Sequence, residues 1–244
     1  MTKRFSGYAI IAMALLFPHA SNAQAIFEGL YDFPGGTSNV DVRAVSGNGQ
    51  RVVGIGSAPS LPSALYWNAG SGSSPVSLPQ IPGQAAMIGL GVNADGSTIV
   101  GQNYSPNGSP AFRWTLGSGT ASISPTNTGV YDRAHGTNAD GSVVVGTSSS
   151  PNQAFRWTAS EGMTLLQALS SSEPTADGFG VSGNGLVTVG SSFLDYPNNS
   201  APGLVVRFPR AVSWNGTSGP EALPFLLGQL SPPVRLWRRI TTAA

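Results

Sequence analysis

Downstream of residue 23 the chain has one histidine, His135, in VYDRAHG (130–136), with Asp132 three residues before it. Serines are abundant, so the chemistry on offer is a hydrolytic set of Ser, His and Asp, with the imidazole taking the hydroxyl proton. The local signs of such a site are missing. No GxSxG elbow occurs, and three corresponding places elsewhere in the chain hold Arg43, Leu90 and Phe179 where this one holds His135. A variable surface or sheet-edge residue is the better reading of His135. Acids outside tight turns are scattered: Glu28, Asp32, Asp41, Asp132, Glu161, Glu173, Asp177, Asp195 and Glu221. A pair of loop carboxylates acting on polysaccharide stays open as the enzymatic alternative, with Asp132, Asp177 and Asp195 as the residues to test. GFGVSG (178–183) matches GxGxxG. A dinucleotide site needs those glycines to open a helix, whereas here they lead into another turn and strand. Cysteine is absent, so thiol and thiolate–metal chemistry is unavailable, and no cofactor or metal is expected.

The elements that would carry these residues come in repeats. AVSGNGQRVVG (44–54), GVNADGSTIVG (91–101), GTNADGSVVVG (136–146) and GVSGNGLVTVG (180–190) align without gaps. Each is followed by a tryptophan motif: ALYWN (64–68), AFRWT (111–115), AFRWT (154–158) and AVSWN (211–215). A weaker third element closes each unit: PVSL (75–78), ASIS (121–124), MTLL (163–166) and EALP (221–224). Asn-Gly and Asp-Gly are strong hairpin signals because these residues accept positive φ. Each unit therefore predicts four short strands: one before the turn, one after it, the tryptophan strand, and the closing element. In the tryptophan strand Phe155 and Trp157 share one face, and Ala154, Arg156 and Thr158 the other. The turn's acidic position is Asp95 or Asp140 in two units and Asn48 or Asn184 in the others. A metal ligand would lose its charge in that exchange while a turn would not, so NADG reads as a bend.

Four-stranded units of about 45 residues predict an all-β fold, a β-propeller-like array of about four blades. An open β-solenoid or incomplete propeller is the alternative. The units run near 44–90, 91–135, 136–179 and 180–228, and IFEGLYDFPGG (26–36) reads as a leading strand. The repeat domain spans 24–228, and residues 229–244 form an irregular tail outside it. Arg113 and Arg156 share one register position. They form either a ligand-facing row or stems covering a neighbouring blade's tryptophan with the charged head in water.

The N-terminus predicts an address. Lys3 and Arg4 precede ten apolar residues, Tyr8 to Phe17, and Ser21-Asn22-Ala23 offers a cleavage site. That shape is a secretory signal cut after Ala23, with Ala25 nearly as good, and it is too short for a span of roughly 20 residues. Secretion or a periplasmic location follows, with no transmembrane helix in the mature chain. Ten arginines then face eleven carboxylates, and three of the ten lie in the last ten residues, which excludes a phosphate-binding nucleic-acid surface.

The turn motif ahead of VVG, with AFRWT at 111–115 and 154–158 behind a signal peptide, resembles the extracellular HAF repeat family of bacteria. The residue before the alanine is Ser63, Pro110, Gln153 or Arg210, never the histidine of the family's name. The resemblance implies a secreted or surface protein and supplies no reaction. The expected function is a non-enzymatic binding or adhesion module whose partner is a surface glycan or an extracellular protein. A truncated piece of a longer repeat protein is a further alternative. The strongest irregularity is the insertion 191–210, SSFLDYPNNSAPGLVVRFPR, read as a long loop with Phe193 and Tyr196 as binding residues.

Overall fold

The computed structural model describes residues 40–57, 62–69, 74–125, 130–169, 175–197 and 205–224, with side chains described except at 57, 194–197 and 205–208. The expected signal peptide, the leading strand 26–36 and the tail 229–244 lie outside these residues. Every described regular element is a strand. Sheet 1 comprises β1 (Val40–Val45), β2 (Arg51–Ser57), β3 (Pro62–Asn68) and β4 (Val76–Ser77). Sheet 2 holds β5 (Ala86–Val92), β6 (Thr98–Tyr104), β7 (Ala111–Thr115) and β8 (Gly119–Ser122). Sheet 3 holds β9 (Arg133–Thr137), β10 (Val143–Ser149), β11 (Asn152–Thr158) and β12 (Gly162–Leu165). Sheet 4 holds β13 (Ala176–Val181), β14 (Val187–Pro197), β15 (Val205–Asn215) and β16 (Glu221–Ala222). Each sheet is an antiparallel meander in which every strand neighbours the next in the chain. Strand order, strand count and turn positions are those the repeats predict.

The turns form for the reason their sequences give. Gly49, Gly96, Gly141 and Gly185 all have φ between +70° and +79°, a region that costs other L-residues. The Asp/Asn exchange is neutral because each variant brings its own donor. Asp95 accepts the Ser97 amide (2.8 Å) and Asp140 the Ser142 amide (2.9 Å). Asn48 accepts the Gln50 amide (2.9 Å) and the Ser46 hydroxyl (2.7 Å); Asn184 accepts the Leu186 amide (3.1 Å) and the Ser182 hydroxyl (2.7 Å).

The core lies between the sheets, because each sheet is apolar on both faces. We call the face toward the next sheet leading and the opposite face trailing. Val53 and Ala64 of sheet 1 pack against Met87, Ile99, Phe112 and Trp114 of sheet 2. Val100, Ala111 and Ile123 of sheet 2 meet Ala134, Val144 and Phe155 of sheet 3. Ala154 and Leu166 of sheet 3 meet Ala176, Val212 and Trp214 of sheet 4. The third strands use the same register positions in all three interfaces, as the alternation of Phe155 and Trp157 against Ala154 predicts. Burying each large side chain of this kind stabilises by about 1.5–3 kcal/mol, which lets a disulfide-free chain hold together.

One expectation is corrected here. The insertion 191–210 is not a loop over most of its length, since β14 and β15 stay paired from Val187↔Asn215 out to Pro197↔Val205. A run of apolar and β-branched residues (Phe193, Leu194, Tyr196, Val205, Val206, Phe208) favours paired strands over an irregular excursion.

Candidate functional site

The repeat places two features where function can be sought: the first strands of the sheets, and the arm of sheet 4. Each first strand carries a β-bulge at the same place. The register slips between Val42 and Ala44, between Gly89 and Gly91, between Ala134 and Gly136, and between Gly178 and Gly180. The extra residues are Arg43, Leu90, His135 and Phe179, so a position that differs in all four units is the bulged one. Bulges re-aim side chains and recur beside functional sites. Because first strands of consecutive sheets pack on one another, these residues form a row. His135 meets Phe179 edge-on, with ring centroids 5.7 Å apart. Arg43 pairs with Asp41. Burial pushes the His135 imidazole below its ordinary range, with Arg133 reinforcing and Asp177 opposing the shift. The sequence shows at these positions only a changing residue among mostly small neighbours, four times over.

The candidate hydrolytic carboxylates sit in different surroundings. Asp132 is 1% exposed, and neither of its carboxylate oxygens has a hydrogen-bond partner among the described residues. Asp177 accepts the Thr147 hydroxyl (2.9 Å). The side chain of Asp195 lies outside the described residues. No cluster of three or more His, Cys, Asp or Glu able to hold a metal occurs among the described residues. Gly178 and Gly180 lie in β13 and Gly183 in the turn after it, and β14 follows with no helix, so no helix N-terminus meets a phosphate there.

The arginine row has a structural role in one member. Arg113 Nε donates to the Gly141 carbonyl of the next sheet (3.0 Å), and its guanidinium carbon lies 5.8 Å from the Trp157 ring centroid. It covers the neighbouring tryptophan as expected, but the head is tied to backbone rather than released to solvent. Arg156 instead reaches Glu161 (3.2 Å), leaving its Nε buried without a partner among the described residues.

Among the described residues, the arm is the largest departure in strand length from the repeated unit. Its strands have eleven residues each, against seven for β2, β6 and β10. Phe193 pairs in register with Pro209 and is half-buried. Tyr196 pairs with Val206, and its side chain lies outside the described residues.

These features define an all-β, β-propeller-like stack of four four-stranded sheets. Its fold is similar to that of TolB from Acinetobacter baumannii, with a TM-score of 0.52 and 11% identity over 76% of this chain and 43% of that one. It is similar too to the putative TolB from Agrobacterium tumefaciens, with a TM-score of 0.53 and 12% identity over 73% of this chain and 62% of that one. The chain thus spans between two fifths and two thirds of the length of the structures it matches. No family model matches the chain, and no curated protein does. No described helix is long and apolar enough to cross a membrane.

Proposed function

We propose that the protein is an exported, non-enzymatic binding module of the HAF-repeat kind, holding an envelope or extracellular protein through the arm of sheet 4. The observation that carries this reading is the arm itself. Three sheets close their middle hairpin within a seven-residue second strand, while the fourth extends both strands to eleven. A paired extension keeps its backbone ordered by cross-strand hydrogen bonds, so a partner that adds to it meets little entropic cost. Export rests on the charged and apolar N-terminal pattern, and the exported form is expected to begin at Gln24, or at Ile26 if cleavage follows Ala25.

The test places a photo-crosslinking residue at position 196 in the full chain and, as control, at the exposed Leu116 on the turn of sheet 2. A discrete protein adduct is expected from 196 and not from 116. It should vanish when residues 194–208 are replaced by an Asn-Gly turn. Equal adducts from both positions, or none from 196, would overturn the proposal. Displacement of the adduct by soluble polysaccharide would move the partner class to glycan.

A further inference from the structure

The leading face of sheet 4 is built like the three that are covered, yet it is open. Val53, Val100 and Val145 are 0% exposed, and their counterpart Val189 is 42% exposed. Leu78, Ile123 and Leu166 are buried, and Leu223, which donates to the Ala211 carbonyl just as Leu78 donates to that of Ala64, is 40% exposed. Ala64, Ala111 and Ala154 are buried while Ala211 is exposed. The turns repeat the pattern. Ala94 donates its amide to the Ala139 carbonyl of the next turn (3.1 Å), and Ala139 donates to that of Gly183 (3.1 Å). The Gly183 amide donates to no further turn among the described residues.

The covered interfaces also specify what fits. The incoming first strand presents Gly89, Ala134 or Gly178 opposite the valine and glycine of the preceding sheet. A Cβ on Gly89 would lie 2.7 Å from Val53 Cγ1, and one on Gly178 would lie 2.9 Å from the Gly146 carbonyl oxygen. Sheet 1 carries Val42 at this position. Its trailing face therefore cannot approach another leading face as sheets 2, 3 and 4 do, which disfavours both ring closure onto sheet 1 and head-to-tail stacking of a second copy. The exit from sheet 4, Leu223-Pro224, repeats the exit from sheet 1, Leu78-Pro79, which leads into sheet 2.

We infer that the leading face of sheet 4 is a docking site for a fifth four-stranded sheet of this same repeat type. That sheet would carry Gly or Ala on its first strand, a β-branched residue on its second, and a large apolar residue (as Phe112, Phe155 or Val212) followed by Trp at two residues' distance on its third. It would continue the stack and take up the Gly183 amide through its own turn carbonyl.

The chain contains no cysteine, so a single Val189→Cys substitution reports on this face alone, with Val100→Cys as the buried control. The test inserts a second copy of residues 80–124 between Pro224 and Phe225 of the full chain. Reaction of the thiol at 189 with a maleimide is expected to slow at least ~10-fold relative to the uninserted protein, and the urea m-value to rise because more surface is buried on folding. An inserted copy carrying Gly89→Val should leave that thiol as reactive as before. Unchanged reactivity with the unaltered copy, or equal protection by both copies, would overturn the inference. Light scattering of the uninserted protein is expected to show a monomer; a concentration-dependent dimer that protects position 189 would make a second copy the occupant instead.

Discussion

Arg113 of sheet 2 lies against Trp157 of sheet 3, with its guanidinium carbon 5.8 Å from the ring centroid, while its Nε donates to the Gly141 carbonyl at 3.0 Å. One side chain thus ties a tryptophan strand to both the tryptophan and the turn of the next sheet. Arg156, at the same register position one sheet on, makes no such tie among the described residues. Arg113→Met is expected to lower stability by about 1.5–3 kcal/mol, the usual worth of a hydrogen bond from a charged donor. Arg113→Lys should recover little, because an ammonium lacks the planar fork. Arg156→Met should change stability by less than about 1 kcal/mol, since its partner Glu161 is exposed. Urea midpoints of the three variants check this.

The glycine of the hairpin turn should cost different amounts to replace in different sheets, although the turn is the same. Gly49 has φ +70° and nothing within 4 Å of an added Cβ; Gly141 has φ +76°, and there the Cβ would run into the Thr98 side chain of the preceding sheet. Gly49→Ala is expected to cost about 1–2 kcal/mol from backbone strain alone. Gly141→Ala adds overpacking of about 1–3 kcal/mol to that. Equal costs in chemical unfolding would mean that the turns do not stack.

Asp132 is a buried carboxylate with no partner among the described residues, at the register position that holds Met87 in sheet 2 and Ala176 in sheet 4. Burying a polar group without a hydrogen-bond partner is costly, so Asp132→Ala is expected to raise stability by about 1 kcal/mol or more. A loss of stability would show that the carboxylate is satisfied and structural. A hydrolytic activity of the full chain that disappears with this variant would instead revive the enzyme reading.

Stability should decline with acid in two stages. The imidazole of His135 is pushed below its ordinary 6.5, chiefly by burial, so the fold favours the neutral ring. Its contribution is complete above 6.5 and is lost as pH falls from there through the folded value. The Asp95 and Asp140 carboxylates are held below their ordinary 3.8, chiefly by the side chains of Ser97 and Ser142 and next by their amides. Their contribution is present above 3.8 and disappears as pH drops further. Urea midpoints across pH should lose the upper stage in His135→Leu and show a weaker lower stage in the double variant Asp95→Asn, Asp140→Asn.

What the sequence determined by itself is the content of each unit. Turn glycines, the Asp/Asn exchange and the alternation around Trp157 are local properties, set by backbone sterics and the two-residue period of a strand. They sufficed for four sheets of four strands and for reading NADG as a bend. What only the tertiary structure decided concerns how units meet. The bulge that turns Arg43, Leu90, His135 and Phe179 into a row is a slip in pairing between two strands, and a single strand's sequence does not contain it. The extended pairing of β14 with β15 likewise depends on each strand supplying the other's hydrogen bonds, although its apolar and β-branched residues are compatible with strand. The tie from Arg113 to Gly141 and the open face at Val189 depend on which sheet lies next, a relation between units that lies outside the local pattern of any one of them.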